Sequence, residues 1–107
     1  DMNIESTIQD VLSRIVQHTQ PLRVILFGSH ARGDAHSRSD LDILVIVDDG
    51  VDPWSVSQSI YMHLRGVACR VDVVVLPLSY YESHKAYIGS VARPASIEGK
   101  VLYQRAA

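Results

Sequence analysis

The sequence predicts an α/β (α+β) domain, a small mixed β-sheet with helices packed on it. Two observations carry this expectation. Segments with helical spacing alternate with short β-rich apolar runs, the pattern of a sheet covered by helices. Two of those runs, Asp40 to Val47 and Arg70 to Leu76, are apolar on both faces beyond their first residues, as strands buried on two sides are.

Ile4, Ile8, Val11, Leu12, Ile15 and Val16 line one face of an amphipathic helix of about four turns. Pro21 follows as a stop signal. Leu22 to Phe27 is β-rich and closed by Gly28. Ser29 to Gly33 has the character of a short helix or turn, and the small polar stretch Asp34 to Ser39 reads as a loop. In the strand Asp40 to Val47, Leu41, Ile43, Val45 and Val47 point one way while Leu44 and Ile46 point the other. This strand is therefore expected at the centre of the sheet. Asp48, Asp49 and Gly50 end it with turn chemistry. Asp52 and Pro53 form an N-cap and first helical position. The helix they open runs to about Arg65, buries Val56, Ile60 and Leu64, and stops at Gly66. Arg70 to Leu76 is the third strand, ended by Pro77. Residues 79 to 88 are expected to be helical, with Tyr80, Tyr81, Tyr87 and Ile88 available for packing. Residues 89 to 99 show no single pattern, and Lys100 to Gln104 fits a short last strand. Met2 reads as the native start, with Asp1 an extra residue ahead of it.

The 107 residues suit a single domain spanning 1–107, large enough to bury a real core. Ten basic and twelve acidic residues give a formal charge of −2. A protein that grips a long nucleic acid usually carries a basic excess, so DNA or RNA is disfavoured as a direct substrate. The single cysteine, Cys69, rules out a disulfide within the chain and a cysteine-based zinc site, which suits a cytoplasmic location. Its plain reading is a small buried apolar residue. No apolar run approaches the length of a membrane span, and the N-terminus lacks the regions of a signal peptide.

Three features point to chemistry. Gly28-Ser29 stands between a strand and a helical turn. A glycine there lets backbone approach a ligand, and a helix start offers N–H groups to a phosphate, although Gly-Ser is also common in ordinary turns. Asp40-Leu41-Asp42 follows, with ten residues between Ser29 and Asp40. Two carboxylates on one face of a strand, about 6.5 Å apart along the chain, repel each other unless a cation lies between them. Hard oxygen donors on a rigid strand suit Mg²⁺. The alternative is a solvated acidic turn like Asp48-Asp49. Asp72 holds the place in its strand that Asp42 holds in the other. If the two strands are in-register neighbours, three carboxylates meet, enough for two metal ions about 3.5–4 Å apart. The alternative is an ion pair of Asp72 with Arg70.

Together, Gly28-Ser29-His30-Ala31-Arg32-Gly33, then Ser39-Asp40-Leu41-Asp42-Ile43-Leu44-Val45, then a helix and a strand bearing Asp72, resemble the nucleotidyltransferases related to DNA polymerase β. The Gly-Ser-x-Ala-Arg-Gly form in so short a chain most resembles the minimal nucleotidyltransferase (MNT) family. The resemblance covers residues from about 22 to 76, and Glu98-Gly99-Lys100-Val101-Leu102-Tyr103 is similar to the family's C-terminus. It implies a polymerase β-like nucleotidyltransferase fold. It also implies that Gly28 and Ser29 hold the β/γ-phosphates of an NTP, that Asp40 and Asp42 bind two Mg²⁺ ions, and that Asp72 binds one metal and acts as general base. Arg32 could reach a phosphate oxygen or instead pair with Asp34. MNT proteins are commonly paired with HEPN-domain ribonuclease toxins. The resemblance therefore implies an antitoxin that moves AMP from ATP to a tyrosine of its HEPN partner, in a hetero-oligomer or homo-oligomer. Its alternatives are an antitoxin that masks the toxin by binding alone and an enzyme acting on a small molecule of the aminoglycoside type.

Other patterns lead elsewhere. Gly28-Ser29-His30-Ala31 lacks the Gly-x-Ser-x-Gly frame of a nucleophile elbow. His18, His30, His36, His63 and His84 show no metal-ligand spacing and read mostly as surface residues. Gly89-Ser90-Val91-Ala92-Arg93-Pro94 echoes the first motif, but no Asp-x-Asp follows it. Trp54 and the tyrosines suit a core or an interface.

Overall fold

The computed structural model describes residues 3–106, so the expected start at Met2 lies outside the described residues. Helix α1 spans Ile4–Thr19 and is opened by Asn3, whose side chain accepts the Ser6 N–H at 2.8 Å. It ends in a left-handed Gln20, just before Pro21. Strand β1 is Arg23–Phe27, helix α2 is Ser29–Arg32 and strand β2 is Leu41–Val47. Helix α3 spans Pro53–His63, capped by the Asp52 side chain on the Trp54 N–H. Strand β3 is Val71–Pro77, followed by helices α4 (Leu78–His84) and α5 (Ala92–Glu98) and strand β4 (Lys100–Gln104).

The four strands form one mixed sheet in the order β3-β2-β1-β4. β1 runs antiparallel to β2 and to β4, whereas β2 and β3 are parallel. Parallel neighbours need a crossover, which α3 supplies. The crossover returns the chain to the end where β2 began, so β2 and β3 start side by side. Between β1 and β3, β2 is central as expected, and Ile43 to Val47 are all buried. Its two faces meet different helices. Leu41, Ile43, Val45 and Val47 pack with Val11, Ile15, Ile60 and Leu64 of the α1–α3 side. Leu44 and Ile46 pack with Tyr81, Ala92 and Ala95 of the α4–α5 side. These are the two sets that the alternation along β2 predicts.

One expectation is corrected and two open readings are filled in. The helix after β3 ends at His84 rather than continuing to residue 88, and Tyr80, Tyr87 and Ile88 are exposed while Tyr81 alone of that group enters the core. The chain turns away at Gly89, whose φ of +90° suits glycine. The unassigned stretch 89–99 contains α5, in which Pro94 sits in the first turn, where a missing N–H costs no helical bond. Of the residues read as core or interface, Trp54 and Tyr61 lie on the exposed outer face of α3. Tyr61 nevertheless hydrogen-bonds the outer edge of β3. Its hydroxyl accepts the Val73 N–H at 2.8 Å and donates to the Val73 carbonyl at 3.4 Å. Among the described residues, no helix is long and apolar enough to cross a membrane.

Candidate active site

The parallel pairing of β2 with β3 sets Asp42 directly against Asp72. Side chains paired across neighbouring strands share a face, so both carboxylates leave the same side of the sheet. That face is the one α4 and α5 cover further along the strands, but at Asp42 the cover has ended: Asp42 is half-buried and Asp72 exposed. On its other flank Asp42 pairs with Phe27, the last residue of β1. The turn Gly28-Ser29 therefore lies beside the Asp42 carboxyl. A Cβ at Gly28 would collide with Asp42 Oδ2 and stand 3.0 Å from its Cγ. Gly28 also has φ +75° and ψ −157°, backbone that glycine adopts readily and other residues avoid. Both backbone angle and space thus require glycine here.

Ser29 opens the four-residue α2. The first N–H groups of a helix, here those of Ser29 and His30, have no intrahelical acceptor, while Ala31 and Arg32 both donate to the Gly28 carbonyl at 3.0 Å. The loop from Asp34 to Asp40 is tied to this turn by His30, whose Nε2 lies 3.1 Å from the Ser39 carbonyl oxygen. Within the loop, the Ser39 N–H donates to the His36 carbonyl at 3.0 Å and the His36 N–H to Ser39 Oγ at 2.9 Å. These bonds hold Asp40 at the mouth of β2. His30 thus ties the loop to the turn, a contact its sequence context did not signal.

Electrostatics reflect the crowding. Burial, then the charge of Asp72, then that of Asp40, push the Asp42 carboxyl above the usual aspartate range, while His30 and Arg32 pull it down. Asp40 lies 3.7 Å from Arg70 Nε, a loose contact with a highly exposed partner. Asp72 is not the partner of Arg70. Arg32 is held by two carboxylates, its Nε 3.2 Å from Asp34 Oδ2 and its Nη1 3.0 Å from Glu98 Oε1. The expected alternative partner, Asp34, is thus present, and Glu98 joins it from the far end of the chain. Cys69 is half-buried; burial first, then Asp40, push its thiol up, so it stays protonated and unreactive.

Among the described residues, no three carboxylate, imidazole or thiol groups converge closely enough to hold an ion unaided. The donor set still suits Mg²⁺, which keeps waters and shares substrate phosphates and so asks for only one or two carboxylates from the protein. The glycine cradle against Asp42 suits a phosphate chain approaching that carboxylate.

The family profile described as "Nucleotidyltransferase domain" matches residues 6–98. A proposed protein adenylyltransferase of Methanocaldococcus jannaschii is 35% identical over 63 residues, which is 59% of this chain and 63% of that relative. A solved structure of a proposed nucleotidyltransferase from Sulfolobus solfataricus superposes with a TM-score of 0.63 at 23% identity, covering 95% of this chain and 86% of that one. A toxin–antitoxin crystal structure with AMP-PNP gives a TM-score of 0.59 at 23% identity, over 91% of this chain and 73% of that one. An MntA–HpeT toxin–antitoxin structure gives 0.56 at 22%, over 97% and 75%. The helix-covered mixed sheet is the fold these solved structures share with it, and the chain belongs to the nucleotidyltransferase family.

Proposed function

We propose that this chain is a minimal nucleotidyltransferase that moves AMP from ATP to a hydroxyl, with Mg²⁺ ions at Asp40, Asp42 and Asp72. The pairing of Asp42 with Asp72 beside the Gly28 cradle carries the proposal. Gly28 and Ser29 receive the β/γ-phosphates through backbone N–H groups and the serine hydroxyl, and Arg32 contributes charge nearby. Asp40 and Asp42, both half-buried, would hold the metal ions. Asp72, the exposed member, faces the arriving acceptor and takes the proton of its hydroxyl. The acceptor oxygen then bonds to the α-phosphorus, the bond to the β-phosphate oxygen breaks, and pyrophosphate leaves. Bound Mg²⁺ neutralises charge gathering on the phosphoryl oxygens.

The acceptor in this reading is a tyrosine of a HEPN-type ribonuclease toxin, and the chain acts as its antitoxin in the cytoplasm. Three observations support it. One relative is named as a protein adenylyltransferase. Two structural neighbours are toxin–antitoxin pairs. The net charge of −2 suits a protein acceptor better than a nucleic acid. Incubation with ATP, Mg²⁺ and a HEPN-type toxin partner is expected to add AMP mass to the toxin by intact-mass spectrometry. An unmodified toxin under those conditions would sink the proposal. A second reading, an antitoxin that masks its toxin by contact, draws on the failure of three ligands to converge. It predicts that the Asp40→Asn, Asp42→Asn double variant still neutralises the toxin in cells, whereas the catalytic reading predicts loss of protection.

A further inference from the structure

We propose that Glu98 is a positioning residue for nucleotidyl transfer, acting through Arg32. The inference rests on the transferase reading and extends it to a residue that none of the sequence motifs assigns to the site. Glu98 is the last residue of α5 and lies 66 positions from Arg32, the last residue of α2. Neither end is free to wander. Buried Ala92 and Ala95 bring α5 close to the sheet, and a Cβ at Gly99 would run into the Ala95 carbonyl and the Ile25 side chain, so Glu98 is presented from a fixed frame. α2 is anchored in turn by Gly28 against Asp42.

The contact is of a particular kind. An exposed ion pair adds little to stability, and here the side chains of Arg32 and Glu98 remain 44% and 29% exposed. What two carboxylates on one guanidinium do achieve is orientation. Asp34 takes the Nε–H and Glu98 takes an N–H of Nη1. A guanidinium has five N–H donors in a rigid fork. The pair of carboxylates therefore fixes its plane yet leaves both N–H groups of Nη2 and one of Nη1 for an incoming phosphate. Asp34 alone, one turn residue away on the same loop, constrains a single edge. Glu98 adds the second point that sets the plane. Glu98 thus links the C-terminal segment, which otherwise only covers the sheet, to nucleotide binding.

Mg²⁺-ATP affinity by isothermal titration, together with steady-state transfer and Tm, tests this in wild type, Glu98→Ala, Glu98→Asp, Arg32→Ala and the Arg32→Ala/Glu98→Ala double variant. Glu98→Ala is expected to weaken ATP binding and raise KM about three- to tenfold, the scale of one oriented charge-assisted hydrogen bond. Its Tm should move by no more than about 4 °C. Glu98→Asp should recover part of the loss, and Glu98→Ala should have no further effect once Arg32 is gone. Unchanged ATP affinity in Glu98→Ala, or an equal loss with and without Arg32, overturns the inference while leaving the transferase reading intact. A wild-type protein that binds no Mg²⁺-ATP overturns both.

Discussion

From Ile43 to Val47 every residue of β2 is buried, split between the α1–α3 core and the α4–α5 core. One residue earlier the same strand carries Asp42, half-buried, wedged between Gly28 and Asp72 and within the field of Asp40. The apolar end gains free energy by removing surface from water. The acidic end loses some by gathering like charges in a partly desolvated place. The two ends need each other. Only a strand fixed on both sides by the core can hold its first carboxylate against a glycine turn and in register with a second carboxylate. Stability and chemistry are thus separated along one strand by a single residue.

Four measurements break or sharpen this contrast. The largest effect belongs to the acidic end. Asp42→Asn should lower the transfer rate by about a thousandfold, the loss of several kcal/mol of charge stabilisation, as read from radiolabelled AMP incorporation. A variant retaining near-normal turnover would remove Asp42 from the chemistry. Next comes the apolar end. Leu44→Ala opens a cavity at a fully buried position and should cost roughly 2–5 kcal/mol in urea denaturation. Loss of less than half that would show the two cores to be loosely packed there. Gly28→Ala touches both ends. It places a Cβ on the Asp42 carboxyl and forces a glycine-only backbone angle, so it should cost about 1–3 kcal/mol of stability and reduce ATP affinity together. A loss of affinity without loss of stability would show that the turn relaxes.

The smallest effect concerns pH. The folded protein holds the Asp42 proton more tightly than the unfolded chain does. That contribution to stability is full below the ordinary aspartate range and is lost as pH rises through the raised folded value. Without divalent metal, Asp42→Asn should therefore gain stability relative to wild type as pH climbs through that window. Chemical denaturation at several pH values checks this, and a difference that shrinks with rising pH would contradict the crowding of the three carboxylates.

Much of this contrast could be read before any coordinates. The apolar alternation of β2 gave its central place and its two faces, because residues buried on both sides leave no other option. The placing of Asp42 and Asp72 at matching strand positions was enough to anticipate their pairing, given a helix between the strands as the crossover. What stayed hidden depends on contacts distant in sequence. α5 is short, begins with a proline in its first turn, and owes its existence to Ala92 and Ala95 packing on the sheet rather than to any helical period of its own. Glu98 reaches Arg32 only because β4 pairs beside β1. Tyr87 and Ile88 read as available for packing on a helix to residue 88, yet the chain leaves the helix after His84 and both are exposed. The position of Asp40 was the least legible, since loop bonds through His30 and Ser39 set it.

The hydroxyl that Tyr61 lends to Val73 has an effect beyond its own two hydrogen bonds. A bare strand margin is a template on which foreign chains can grow. With a phenol occupying the outward N–H and carbonyl of Val73, that margin offers no continuous ladder to an intruder. The β3 margin is thereby a poorer template for fibrillar growth than it would be bare. Tyr61→Phe should therefore speed thioflavin-positive aggregation under agitation while leaving nucleotide binding untouched.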